Sequence, residues 1–95
     1  MFKSSFKKKP LVSVIMNCHN GEKYLDESIK SVLNQSYKNW EIIFFDNNST
    51  DKSSLILRKY KNKKIKYFKS IKKHRLYKAR NLAISHAKGE YITFL

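Results

Sequence analysis

Leu11-Val12-Ser13-Val14-Ile15-Met16-Asn17-Cys18-His19-Asn20-Gly21-Glu22 passes within a few residues from an apolar run to a polar turn. Residues 11–16 are uncharged and rich in β-branched side chains, which suits a strand buried on both faces of a parallel sheet. Asn20-Gly21 reads as a turn. Leu25, Ile29, Val32 and Leu33 then recur at i, i+4, i+7 and i+8. That spacing is one face of a helix, which should end near Gln35-Ser36.

The alternation continues downstream. Residues 41–45 (EIIFF) read as a second buried strand. It runs into Asp46-Asn47-Asn48-Ser49-Thr50-Asp51, a polar loop whose Ser or Thr can cap the next helix. That helix carries Leu55, Ile56 and Tyr60 and fades into Lys61-Asn62-Lys63-Lys64. Residues 65–68 are a weaker strand near an edge, and residues 70–75 a basic loop. Leu76, Ala79, Ala83 and Ala87 share a helical face, with Gly89 placed as its C-terminal stop. Residues 90–95 (EYITFL) are a fourth strand. The order β-α-β-α-β-α-β predicts an α/β fold, a doubly wound parallel sheet covered by helices. Residues 1–10 are expected to form a basic flexible arm and residues 11–95 a single small domain.

Composition narrows the function. Twenty-one Lys and Arg against seven Asp and Glu give a net charge of +14. Such an excess favours anionic partners: nucleic acid, lipid headgroups or phosphorylated ligands. The single cysteine, Cys18, excludes an intramolecular disulfide. Cys18 next to His19 has no second pair at zinc-ligand spacing, and His74 and His86 do not supply one. Cys18 is expected to pack in the core. The apolar runs are about five or six residues long, far below the ~20 that span a bilayer. The basic start is not followed by the apolar region of a signal peptide. The chain therefore reads as cytoplasmic and able to lie as a peripheral protein at the inner face of a membrane.

Two polar loops should meet above the sheet: residues 17–22 after the first strand and residues 46–51 after the second. They offer a flat ring (His19), an anion (Asp46) and several amides, a set able to hold a base and a ribose. Helix N-termini close by would favour phosphate. The same residue types are also ordinary turn and cap material. Asp51 is expected to cap its helix. Lys72-Lys73-His74-Arg75 reads as a solvated loop, and Arg80 as either a helix ion pair or a ligand contact.

Four motifs, in order, carry a resemblance: residues 11–25, residues 31–43, Phe45-Asp46-Asn47-Asn48-Ser49-Thr50-Asp51, and residues 79–84 with 89–95. Together they resemble the opening of family 2 glycosyltransferases. The resemblance implies a GT-A (Rossmann-like) fold and a nucleotide-diphosphate sugar donor, first of all a UDP-sugar. It also implies transfer of the sugar to an acceptor hydroxyl in cell-surface polysaccharide synthesis. By motif position His19 would stack near the base, where the family usually has Tyr. Asn17 stands for a frequent Pro. Asp46 fills the first acidic position, and Asn47 fills the second, commonly Asp and commonly on the base. Asn20 belongs to the same nucleotide-binding set, and Arg80 lies at a position often basic and near the donor phosphates. The family's Asp-x-Asp motif, which holds Mg or Mn on the diphosphate, would follow the strand at residues 91–95. The chain is thus expected to stop short of its metal ligands, catalytic base and acceptor half, and to be inactive alone. The competing reading is a small basic domain for nucleic acid or a membrane surface. No helix-turn-helix, zinc or RNP-like pattern supports a specific nucleic-acid partner.

Overall fold

The structure, a computed structural model, describes residues 9–95. Most of the expected basic arm, residues 1–8, lies outside the described residues. The elements are β1 (Val12–Cys18), α1 (Glu22–Asn34), β2 (Trp40–Asp46), α2 (Ser53–Arg58), β3 (Ile65–Lys69), α3 (Leu76–Ile84) and β4 (Tyr91–Phe94). All strand pairs are parallel, and the sheet order is β3-β2-β1-β4. The alternating order predicted from the sequence is the order observed, and β3 lies at an edge as its weaker pattern implied.

Strand alternation sorts the core into two faces. Val14, Met16 and Cys18 of β1 and Trp40, Ile42 and Phe44 of β2 meet Leu25, Ile29 and Val32 of α1 and Leu57 of α2. Ile15, Ile43 and Phe45 meet Ala79 and Ala83 of α3 on the other side. Every residue of β2 is buried, because helices cover both its faces. The two alanines let α3 lie close on the sheet. Each large aliphatic side chain buried this way contributes about 1.5–3 kcal/mol.

Four local expectations are corrected. Leu55 does not face the core: it is 60% exposed, and Leu57 at 2% fills the place. Leu76 likewise lies outward at 59%, leaving Ala79 and Ala83 to carry the α3 contact. No Ser or Thr caps α2; its cap position is Lys52, and the carboxylate of Asp51 accepts from the Ser53 amide (2.9 Å) instead. Gly89 does not stop α3, which ends at Ile84. A Cβ at Gly89 would stand 2.6 Å from Ser13 Oγ and 2.7 Å from both the Leu11 carbonyl oxygen and the Ser13 nitrogen. The glycine permits the β4 backbone to approach β1.

A polar knot holds that approach at the amino end of the sheet. Glu41 is buried in β2. Its Oε2 accepts from Ser13 Oγ (2.6 Å) and the Lys88 amide (2.7 Å), while its Oε1 faces Lys66 Nζ at 2.8 Å. The Gly89 amide donates to Ser13 Oγ (2.8 Å). One carboxylate thereby ties β1, β3 and the α3–β4 connection to β2.

Candidate functional site

β1 and β2 run in parallel register from Val12 opposite Trp40 to Cys18 opposite Asp46, so their trailing loops emerge side by side. The chain travels outward from β1 through β2 to β3, then returns to β4 on the far side of β1. Where the direction reverses, connections leave on opposite faces and a crevice opens beyond the strand ends. A cleft of about 280 Å³ lies there, with Met16, Asn17, His19, Asn20, Tyr24 and Leu95 in its lining.

The two loops are bound to each other rather than merely adjacent. Asn20 Oδ1 accepts from the amides of Thr50 (2.7 Å) and Asp51 (3.2 Å), and the Asn20 amide donates to Ser49 Oγ (2.9 Å). His19 Nδ1 lies 2.8 Å from the Asn47 carbonyl oxygen. The second loop and the first residue of α2 also satisfy free amides at the start of α1, a need that every helix has. Gly21 N donates to Ser53 Oγ (3.0 Å) and Glu22 N to Asp51 Oδ2 (3.1 Å). Asn20 and Asn48 hold left-handed backbone, with φ of 56° and 57°. Asn is among the few non-glycine residues that visit this region readily. Gly21, at φ −104°, is not the left-handed residue of the turn; a Cβ there would meet Cys18 Sγ at 3.0 Å.

The expected site residues fall into three places. Asn17, His19 and Asn20 line the cleft. Asn17 Oδ1 is buried and has no hydrogen-bond partner. An orphaned buried acceptor of this kind costs about 1–3 kcal/mol unless a donor reaches it. Asp46 and Asn47 are buried beside the cleft, with their polar atoms engaged by the protein. Asp46 Oδ1 accepts from the Ser49 amide (2.8 Å) and Oδ2 from the Tyr67 hydroxyl (2.9 Å). Asn47 Nδ2 donates to the His74 carbonyl and its Oδ1 accepts from the His74 amide, both at 2.8 Å, which pins the basic loop to the nucleus of the site. Arg80 stands outside the cleft lining, exposed on α3, with its guanidinium 5.0 Å from the centre of the Phe94 ring.

Electrostatics follow the same geometry. Burial pushes the Asp51 carboxyl up, but the Ser53 hydroxyl, the Ser53 amide and the Glu22 amide together hold it below its ordinary value. Burial and the bond to Asp46 raise the Tyr67 hydroxyl, so that it stays a donor. Cys18 is buried, its Sγ 3.4 Å from Ser53 Oγ. The sequence reading missed Tyr24, 69% exposed in the first turn of α1 and in the cleft lining, and Tyr67, which orients Asp46. An exposed aromatic just after the first loop was a legible signal; a hydroxyl donated from a third strand was not.

A family model described as Glycosyl transferase family 2 matches residues 13–95. The chain belongs to this family. An uncharacterized glycosyltransferase of Haemophilus influenzae is 46% identical over 88 residues, spanning 90% of this chain and 35% of that protein. A glucosyltransferase of Escherichia coli, WfgD, described as acting from UDP-Glc on α-D-GlcNAc-diphosphoundecaprenol, is 36% identical over 90% of this chain and 34% of its own length. The chain thus spans about a third of the length of these curated relatives. The fold of S. aureus TarS 1–349 in complex with UDP-GlcNAc matches with a TM-score of 0.84 at 33% identity, over 88% of this chain and 25% of that one. A parallel α/β sheet with helices on both faces is therefore a glycosyl transferase family 2 fold here.

Proposed function

We propose that these residues form the nucleotide-sugar-binding part of a glycosyltransferase, with a UDP-sugar as donor. In such a transfer the sugar's anomeric carbon exchanges its bond to the diphosphate oxygen for one to an acceptor hydroxyl, in the building of a cell-surface glycan. The observation that carries the reading is the cleft at the reversal of strand order, walled by two cross-tied loops. Relatives bearing UDP-sugars in their descriptions support the choice of base. His19 offers a flat ring to the base, and Asn17 and Asn20 offer amides to its edge or to the ribose. Asp46 and Asn47 act beneath them, fixing the loop that bears on His19. Arg80, its guanidinium 5.0 Å from the centre of the Phe94 ring, is assigned to the phosphates.

The divalent cation that the family implies does not fit the residues present. Among the described residues no group of three His, Cys, Asp or Glu is placed to hold a metal. The carboxylates of the second loop, Asp46 and Asp51, are occupied by protein donors. The 95 residues alone are proposed to bind nucleotide without transferring sugar. Calorimetry with UDP, GDP and CDP tests this on protein shown by circular dichroism to be folded. Saturable UDP binding without turnover of a UDP-sugar is expected; no heat with any of the three would remove the nucleotide role.

A second reading, compatible with the first, concerns location. The connections at the amino end of the sheet carry exposed Lys9, Lys38, Lys61, Lys63 and Lys88. This end points away from the cleft. No helix among the described residues is long and apolar enough to cross a membrane. The lysines favour peripheral attraction to an anionic lipid surface at the cytoplasmic face, worth about 1 kcal/mol per basic residue near it. Flotation with phosphatidylserine vesicles should recover the protein at low salt, and recovery equal to that with neutral vesicles would count against it.

A further inference from the structure

The bond on His19 fixes more than the position of its ring. Asn47's carbonyl oxygen can only accept, so His19 Nδ1 carries the hydrogen in their 2.8 Å contact. In the neutral ring this leaves Nε2 as a bare acceptor. The polar atom nearest Nε2 fits that assignment: Asn20 Nδ2, a donor, at a long 3.5 Å. The carbonyl that sets the tautomer is itself held. Asn47 N donates to the Cys18 carbonyl at 2.7 Å, and the Asn47 side chain is fastened at both ends to the His74 backbone. Turning the ring over would break the contact with Asn47. His19 is meanwhile exposed and in the lining of the cleft.

We infer that His19 presents Nε2 to the cleft as a fixed hydrogen-bond acceptor and so selects nucleotides that offer a donor hydrogen there. The inference rests on the nucleotide-binding reading and sharpens it. The donor hydrogen has two possible sources, an N–H on the base edge, as at N3 of uracil, or a ribose hydroxyl. A stacking ring alone would not discriminate between nucleotides in this way, since every base has a π-face.

Nitrogen-15 spectroscopy of the imidazole in the ligand-free protein reads the tautomer directly, and calorimetry reads its use. The spectrum is expected to show hydrogen on Nδ1. His19→Phe keeps a flat ring and removes the acceptor, and is expected to weaken UDP binding roughly 5–10-fold, the worth of one hydrogen bond. Against the unaltered protein, one of N3-methyl-UDP, 2′-deoxy-UDP or 3′-deoxy-UDP should bind weaker than UDP by a similar factor. Against His19→Phe that same analogue should show little further loss, because the contact is already gone. The coupled analogue identifies the source of the hydrogen. Hydrogen on Nε2 overturns the inference whatever binds. UDP binding unchanged in His19→Phe, or loss with no coupled analogue, overturns it while leaving the nucleotide reading intact. Hydrogen on Nδ1 with no nucleotide binding at all sinks the nucleotide reading, and the acceptor role with it.

Discussion

Gly89 has no side chain because three atoms already stand where one would begin. Gly89→Ala must push β4 away from β1 or shift Ser13, and is expected to cost about 1–3 kcal/mol, seen as a lower urea midpoint. The neighbouring Glu41 makes a pH-dependent contribution. Burial raises its carboxyl, but Lys66, the Ser13 hydroxyl and the Lys88 amide outweigh burial and hold it below the ordinary 4.5. A group whose folded value is depressed stabilises fully above its unfolded value, and loses that contribution as pH falls through the folded one. Glu41→Gln should therefore cost about 1–3 kcal/mol near neutral pH, less than a fully buried pair because Lys66 is half exposed. The gap between its urea midpoint and that of the unaltered protein should shrink as pH drops below 4.5. At the clamp, Asn20→Gly keeps the left-handed backbone but loses the carbonyl that gathers Thr50 and Asp51, whereas Asn20→Ala loses both. The alanine variant should be the less stable of the two in the same assay. None of these roles was readable from local sequence. Ser13 reads as one more residue of an apolar strand, Glu41 as the start of a second buried strand and Gly89 as a helix stop. Their hydrogen-bond partners lie 25 to 76 positions away.

At the scale of elements, apolar patterning found every strand and helix, although β4 is exposed along its whole length. It failed where an element is too short to establish a phase. α2 has only six residues, Ser53 to Arg58. Three of its positions are apolar in a row, so spacing could not say which of Leu55, Ile56 and Leu57 points inward. The start of the helix sets the phase, and that start is fixed by Asp51 and Ser53 reaching across to the first loop. Leu57→Ala is expected to cost about 2–4 kcal/mol, while Leu55→Ala should stay within about 0.5 kcal/mol. Urea titration of the pair would read this directly, and equal losses would mean that the helix is turned differently. The cleft was legible at the same scale. Two parallel strands that are neighbours must bring their loops together, so Asn17, His19 and Asn20 could be placed before any side-chain contact was known. What remained hidden was the division of labour, since burial of Asp46 and Asn47 depends on Tyr67 and His74, which arrive from a third strand and a third loop.

On the scale of the whole molecule, two properties oppose one another. The net charge is +14. β4 is an outer strand of the four-stranded sheet, with Tyr91, Ile92, Phe94 and Leu95 between 42% and 62% exposed. An uncovered strand with apolar side chains and free backbone groups is a template for pairing with another chain. Like charge keeps copies apart only over the range of the field, about 8 Å at physiological ionic strength and less above it. The colloidal behaviour of the 95-residue polypeptide should therefore run opposite to that of a protein held soluble by balanced charge. It should stay monodisperse in dilute buffer and turn cloudy as simple salt is added, at a threshold set by ionic strength rather than by the identity of the ions. Light scattering across a sodium chloride series would reveal the threshold. Ile92→Lys, which adds charge on the strand itself, should move it to higher salt.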